Sequence, residues 1–141
     1  MVNWITLFGL ISISVIALDQ LVKYVISLIK PNLNAGIFSI SYLTNTGAGF
    51  GLFQGYSLWL GIISLMVAIA ILFEYKKIPK EYIPQILIAL FLGGVVGNMI
   101  DRLFRREVID FIHIWIWPAF NIADSAITIS GIGLIIYFWK K

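Results

Sequence analysis

The 141-residue chain contains no cysteine, which excludes disulfides, thiolate metal sites, a thiol nucleophile and S-acylation of the chain itself. Any nucleophile must therefore be water, a hydroxyl, an amine or a carboxylate. Charge is also scarce: Asp, Glu, Lys and Arg make up 12% of the residues, and histidine occurs once. There is no basic stripe with interleaved aromatics, so nucleic acid is not expected as a partner. What fills the sequence instead is hydrocarbon, with 60% hydrophobic residues and a mean hydropathy of +0.97. A soluble domain of that composition would be anomalous, and the chain reads as an integral membrane protein with one domain over residues 1–141. The net charge of +3 arises from ten Lys and Arg against seven acids, gathered at the ends of apolar runs.

Four runs are long enough to cross a bilayer, which needs about 20 residues of helix. They cover about 4–29, 56–75, 83–104 and 120–139. The first lacks the basic n-region and small-residue cleavage site of a removable signal peptide and reads as a retained span. Between the first two runs, about 31–55 is rich in Gly, Ser, Thr and Asn, and the stretch 37–42 alternates with period two. That pattern predicts short strands and turns lying on the membrane surface. Within this region, Asn45-Thr46-Gly47-Ala48 offers a side-chain amide followed by bare backbone, suited to a plain turn or to receiving an extended peptide. Residues about 105–118 are expected to run along the surface, anchored by Trp115 and Trp117. The expected fold is all-α: four transmembrane helices with a small sheet and loop subdomain on the outer face.

Carboxylates in this setting cost roughly several kcal/mol each on insertion scales, so they are read as functional. Asp101 closes the third span, Asp124 opens the fourth, and Asp110 lies between. A helix hairpin brings all three to one face. Asp19 and Lys23 in the first span are spaced i,i+4 with the acid first, the favourable order for an ion pair. That pair either orients its helix or contacts a substrate directly. Asp101 can be neutralised locally by Arg102, which suits a supporting role. Gly93 and Gly97 form a GxxxG, the mark of close helix packing, and the same bare face could admit a substrate helix. His113 is alone in an apolar stretch, where a packed or hydrogen-bonded histidine is commoner than a ligand.

Five ordered motifs surround these residues: Asp19-Gln20-x-x-Lys23, Asn45-Thr46-Gly47-Ala48-x-Phe50, Gly93-Gly94-x-x-Gly97-Asn98-x-x-Asp101-Arg102, Val108-x-Asp110-Phe111 and Phe120-Asn121-x-Ala123-Asp124-Ser125. Together they resemble the bacterial lipoprotein signal peptidases, signal peptidase II, over essentially the whole chain. The resemblance implies an aspartic endopeptidase of the bacterial inner membrane. Such an enzyme removes signal peptides just before a diacylglyceryl-modified cysteine. It places the catalytic pair on Asp110 and Asp124, and supporting or substrate-binding roles on Asp19, Lys23, Asn45, Gly47, Asn98, Asp101, Arg102, Asn121 and Ala123. Prolipoproteins and membrane lipid are the implied partners, a monomer the implied state, and no metal or cofactor is called for.

The chemistry is consistent with that assignment. Two neighbouring carboxylates cannot both ionise easily, so they share a proton, one activating water while the other donates to the scissile carbonyl. Three alternatives stand beside it. A serine–lysine protease could use Lys23 with Ser39, Ser41 or Ser125, but leaves the aspartates idle. A metalloprotease could gather Asp101, Asp110, Asp124 and His113, yet the HExxH pair is absent. A small transporter or channel would also carry intramembrane carboxylates, although no inverted repeat is visible. Counting positive charges gives a tie between the two faces. Orientation is instead expected from function: both termini cytoplasmic and the aspartates near the outer leaflet, where an exported substrate presents its scissile bond.

Overall fold

The computed structural model describes residues 2–141; the side chain of Phe50, the last member of the second motif, lies outside the described residues. Among the described residues, four helices have membrane-crossing length and composition, at Trp4–Ile29, Ser57–Lys77, Tyr82–Arg105 and Ile122–Trp139 when terminal turns are included. Their α-helical cores are α1 (Trp4–Ile29), α2 (Ser57–Phe73), α3 (Tyr82–Ile100) and α4 (Ile122–Trp139). Local chemistry marks the ends of α1: the Asn3 side chain accepts from the Thr6 amide at its start, and Lys30 turns left-handed at its close, ahead of Pro31. At the opposite membrane face, Glu81 ties α3 to α4, accepting from Tyr137 Oη at 2.6 Å and from Lys141 Nζ at 2.9 Å.

Helix α3 is central, with half of its apolar stretch buried in the protein against 17% for each of the others. Its glycines explain how the neighbours come so close. A Cβ at Gly93 would lie 2.7 Å from Val15 Cβ on α1, and one at Gly94 would lie 2.5 Å from the Ala123 carbonyl oxygen on α4. One at Gly97 would meet the Asp19 carboxylate at 2.8 Å and Ala123 Cβ at 3.2 Å. The bare face of the GxxxG is thus occupied by α1 and α4, not open to a substrate helix. Without a hydrophobic drive between helices in lipid, such small-residue contact is what permits tight packing.

A three-stranded antiparallel sheet, in the order β1 (Asn32–Ala35), β2 (Phe38–Asn45), β3 (Val108–Ile114), caps the end of the bundle where α1 ends and α4 begins. The period-two stretch forms β2 as expected. The segment assigned to a surface run at 105–118 differs. Val108–Ile114 is the third strand, its first four residues buried, and Ile112 bridges to Phe120. Continuous apolar character buried on both sides of the strand obscures the alternation by which a half-exposed strand is recognised. A register shift between Ile40 and Leu43 sets Leu43 opposite Asp110 and Asn45 opposite Val108. That leaves Asn45 diagonal to Asp110, within side-chain reach across the pair.

Candidate active site

Five pieces of chain converge where the sheet meets the bundle: the second half of α1, the end of β2, the end of α3, the middle of β3 and the first turn of α4. Their polar side chains form one connected network. At the start of α4, Asn121 and Asp124 make a capping box. The Asp124 amide donates to Asn121 Oδ1 at 2.8 Å and the Asn121 amide to Asp124 Oδ2 at 3.3 Å. This arrangement satisfies two amides that a helix start leaves without partners, and it fixes where the Asp124 carboxylate points. Another such amide, that of Ala123, donates at 2.9 Å to Asp19 on α1.

The Asn121 side chain then spans the two halves of the site. Its Nδ2 donates to Asp110 Oδ1 at 2.7 Å and to Asn98 Oδ1 at 3.2 Å. Asn98 in turn donates to Asp124 Oδ1 at 2.7 Å. The other oxygen of Asp110 accepts from Asn45 Nδ2 at 3.2 Å. Each of the two aspartates is therefore bound by asparagine amides, which orient a carboxylate without adding a formal charge.

Below the network lies a buried ion cluster. Lys23, with no exposure, sits 2.7 Å from Asp19 and 2.8 Å from Asp101, both equally buried. It also donates to Asn98 Oδ1 at 3.0 Å. Gln20 Nε2 closes the cluster on the Gly97 carbonyl and on Asp101 Oδ1, both at 3.1 Å. The expected i,i+4 pair is present, but it reaches beyond its own helix. Local neutralisation of Asp101 by Arg102 is not what occurs. Adjacent helical side chains diverge by about 100°, and Asp101 instead meets Arg105 one turn on, at 2.7 Å. The chain from Asp101 to Arg105 winds as a π-type turn, and Arg106 follows in the left-handed region at φ 66°. Wide turns of this kind recur where a helix must re-aim side chains at a site. Here Arg102 faces the aspartates and donates from Nη2 to the Gly47 carbonyl at 3.3 Å.

Above Asp110 and Asp124 opens a cleft of about 610 Å³, whose lining includes Asn45, Gln54, Arg102, Phe120 and Ile127 besides the two aspartates. Asp110 and Asp124 share this cleft, whereas Asp19 and Asp101 do not reach it. Burial, first, and then the charge of Asp124 push the Asp110 carboxyl up from 3.8 to about 6, against the opposing effect of the Asn45 and Asn121 amides and of Lys23. A carboxyl held that high can retain a proton for donation near neutral pH. His113, which a metal site would need, is engaged elsewhere, 2.9 Å from Ser41 Oγ on the sheet.

The site residues singled out in the sequence thus all lie in or against one network. Sequence reasoning did not single out Gln20, Arg105 or Gln54 as site residues. Arg105 carried a signal, its i+4 spacing from Asp101; Gln54 carried none, since its contacts arise only when the glycine-rich turn folds back.

Comparison with known proteins converges on one family. Residues 11–140 match the family described as signal peptidase (SPase) II. The lipoprotein signal peptidase of Moorella thermoacetica is 39% identical over 139 residues, covering 94% of this chain and 91% of the relative. That of Geobacillus thermodenitrificans is 37% identical over 146 residues, with 94% and 89% covered. Among solved structures, a bacterial membrane enzyme determined by the in meso method at 2.3 Å superposes with a TM-score of 0.89 at 33% identity, covering 96% of this chain and 89% of the other. A second, at 1.9 Å, gives 0.86 at 32% identity, covering 97% and 95%.

Proposed function

This chain belongs to the signal peptidase II family, and we propose that Asp110 and Asp124 are the catalytic pair with which it performs the family's reaction. It is an intramembrane aspartic peptidase that cleaves signal peptides from prolipoproteins. The observation that carries the residue assignment is that, of the aspartates at positions 19, 101, 110 and 124, only Asp110 and Asp124 border the cleft, joined through one Asn121 side chain.

In the proposed reaction the substrate enters the cleft extended, its scissile carbonyl between the two carboxyls. Asp124 takes a proton from water as the water oxygen attacks the carbonyl carbon. Asp110, the carboxyl pushed up to about 6, gives its proton to the carbonyl oxygen, and a tetrahedral diol results. On collapse Asp124 passes its proton to the leaving nitrogen, Asp110 recovers one from a diol hydroxyl, and the C–N bond breaks. Arg102, on the cleft wall, supplies a positive charge near the carbonyl oxygen as it polarises ahead of protonation. Lys23, Asp19 and Asp101 form the rigid floor that holds Asn98, and Asn98 holds Asp124.

The bond cut is the one preceding a cysteine that carries diacylglycerol. Its acyl chains would remain in the bilayer, and that remote binding energy positions the reacting bond. The enzyme lies in the bacterial inner membrane as a multi-pass protein. Because lipoprotein precursors are modified after export, the site belongs near the outer leaflet, with both termini and the turn at 76–81 in the cytoplasm. The test is incubation of the purified protein with a prolipoprotein bearing or lacking the diacylglyceryl group, followed by mass spectrometry. Loss of the signal-peptide mass from the modified precursor only is expected; equal cleavage of both would refute the lipid requirement, and cleavage of neither the assigned activity.

A further inference from the structure

From the asparagine that faces Asp110, we infer that Gln54 is a positioning residue for catalysis, holding the proton-donating carboxyl in register through Asn45. The inference rests on the assignment of Asp110 to the catalytic pair. An asparagine beside a carboxyl is useful in only one of its two orientations. With Nδ2 towards Asp110 it donates and leaves the acid's own proton free for the substrate; turned over, its oxygen would repel the ionised carboxylate or hold the very proton that the acid has to give. What selects the orientation is whatever donates to the amide oxygen.

Two donors do so here. The Gly47 amide reaches Asn45 Oδ1 at 2.9 Å, and Gln54 Nε2 reaches it at 3.3 Å. The first is a local turn bond, whereas the second comes from the far arm of the loop. Gln54 is itself aimed by Thr46, whose Oγ1 donates to Gln54 Oε1 at 2.7 Å and accepts from the Gly55 amide at 3.1 Å. With its Oε1 occupied as an acceptor, the Gln54 amide must turn its N–H groups towards Asn45. The intervening backbone is bent to allow this, with Gly51, Phe53 and Gly55 all at positive φ, a conformation that is costly for phenylalanine. Gln54 also lines the cleft. The chain of contacts from cleft wall to Gln54, Asn45 and Asp110 therefore links the seating of the glycine-rich loop to the geometry of the acid.

The side chain is exposed, so its replacement leaves the fold intact, and thermal unfolding can verify this. The experiment compares steady-state cleavage of a diacylglyceryl-modified prolipoprotein by the wild-type chain, Gln54→Ala, Gln54→Glu, Thr46→Val and Asp110→Asn. Gln54→Ala removes one neutral hydrogen bond from Asn45, one step from the acid, and should lower kcat roughly threefold to tenfold with KM changed less than about twofold. Gln54→Glu has no N–H to offer Asn45 and should be at least as impaired, while Thr46→Val frees Gln54 to rotate and should fall between. A rise in KM with kcat unchanged would reduce Gln54 to a wall contact and overturn the inference. So would unaltered kinetics of Gln54→Ala. An active Asp110→Asn would instead remove the catalytic assignment on which the inference stands, whereas an inactive Asp110→Asn with a fully active Gln54→Ala would remove the inference alone.

Discussion

Replacing Asp110 by asparagine removes an ionisation from the site, and the consequence for stability has a sign that depends on pH. Asp110 is 3% exposed, and its carboxyl is pushed up from 3.8 to about 6 chiefly by burial. A carboxyl raised in the fold is penalised when ionised: the penalty is absent below the unfolded value, grows between about 4 and 6, and is complete above the folded value. At 1.36 kcal/mol per factor of ten, the penalty at neutral pH is about 3 kcal/mol. The neutral amide of the variant would not carry it. The substitution has its own pH-independent cost, because an amide can accept from only one of the two donors, Asn45 and Asn121. That cost is roughly 1–3 kcal/mol. The absolute difference between variant and parent is therefore small, but its change with pH is not. Thermal unfolding in detergent, from pH 4.5 to pH 8, should show Asp110→Asn gaining on the wild type by on the order of 5–10 °C. A difference that stays flat, or in which the variant loses ground as pH rises, would refute the account of Asp110 as a buried carboxyl with a raised affinity for its proton.

Other outcomes follow from the same geometry. Lys23→Met leaves Asp19 and Asp101 buried without their shared cation and should cost roughly 3–5 kcal/mol, seen as loss of a folded peak in size exclusion; an additional Asp19→Asn should restore part of it. Gly94→Leu, whose first side-chain carbon alone meets the Ala123 carbonyl at 2.5 Å, should separate α3 from α4 and abolish both stability and cleavage, whereas Gly9→Leu, with nothing within 4 Å, should be silent in both assays. Cysteines introduced at Asn34 or Ser41 into this cysteine-free chain should react with an impermeant thiol reagent on intact cells, and those at Lys77 or Lys141 should not. The reverse pattern would invert the proposed topology.

The spans were legible because hydrocarbon runs of bilayer length have few other uses, and β2 because the stretch 37–42 alternates. β3 was not, since Val108, Ile109, Asp110 and Phe111 are buried whichever way they point, and burial on both faces erases period two. The five motifs name residues that the fold gathers into one network, but the wiring of that network could not be read from them. Asp101 and Arg102 are neighbours in sequence, yet adjacent helical side chains diverge, and Asp101 pairs with Arg105 and Lys23 instead. Asn121 carries a supporting role through the motif it belongs to, but the bridge from its side chain to Asp110 depends on where β3 lies. Gln54 meets Asn45 only because the segment between them doubles back at Gly47, where the Ala48 amide closes on the Leu52 carbonyl at 2.7 Å.

The central claim is that Asp110 and Asp124 together carry out the chemistry, supported by the other polar residues. Its most direct test is single-turnover cleavage of a diacylglyceryl-modified prolipoprotein by purified, folded Asp110→Asn, Asp124→Asn and Asp101→Asn. The account predicts no detectable product from the first two and slowed but measurable cleavage from the third; turnover by Asp110→Asn or Asp124→Asn alongside an inactive, folded Asp101→Asn would contradict it.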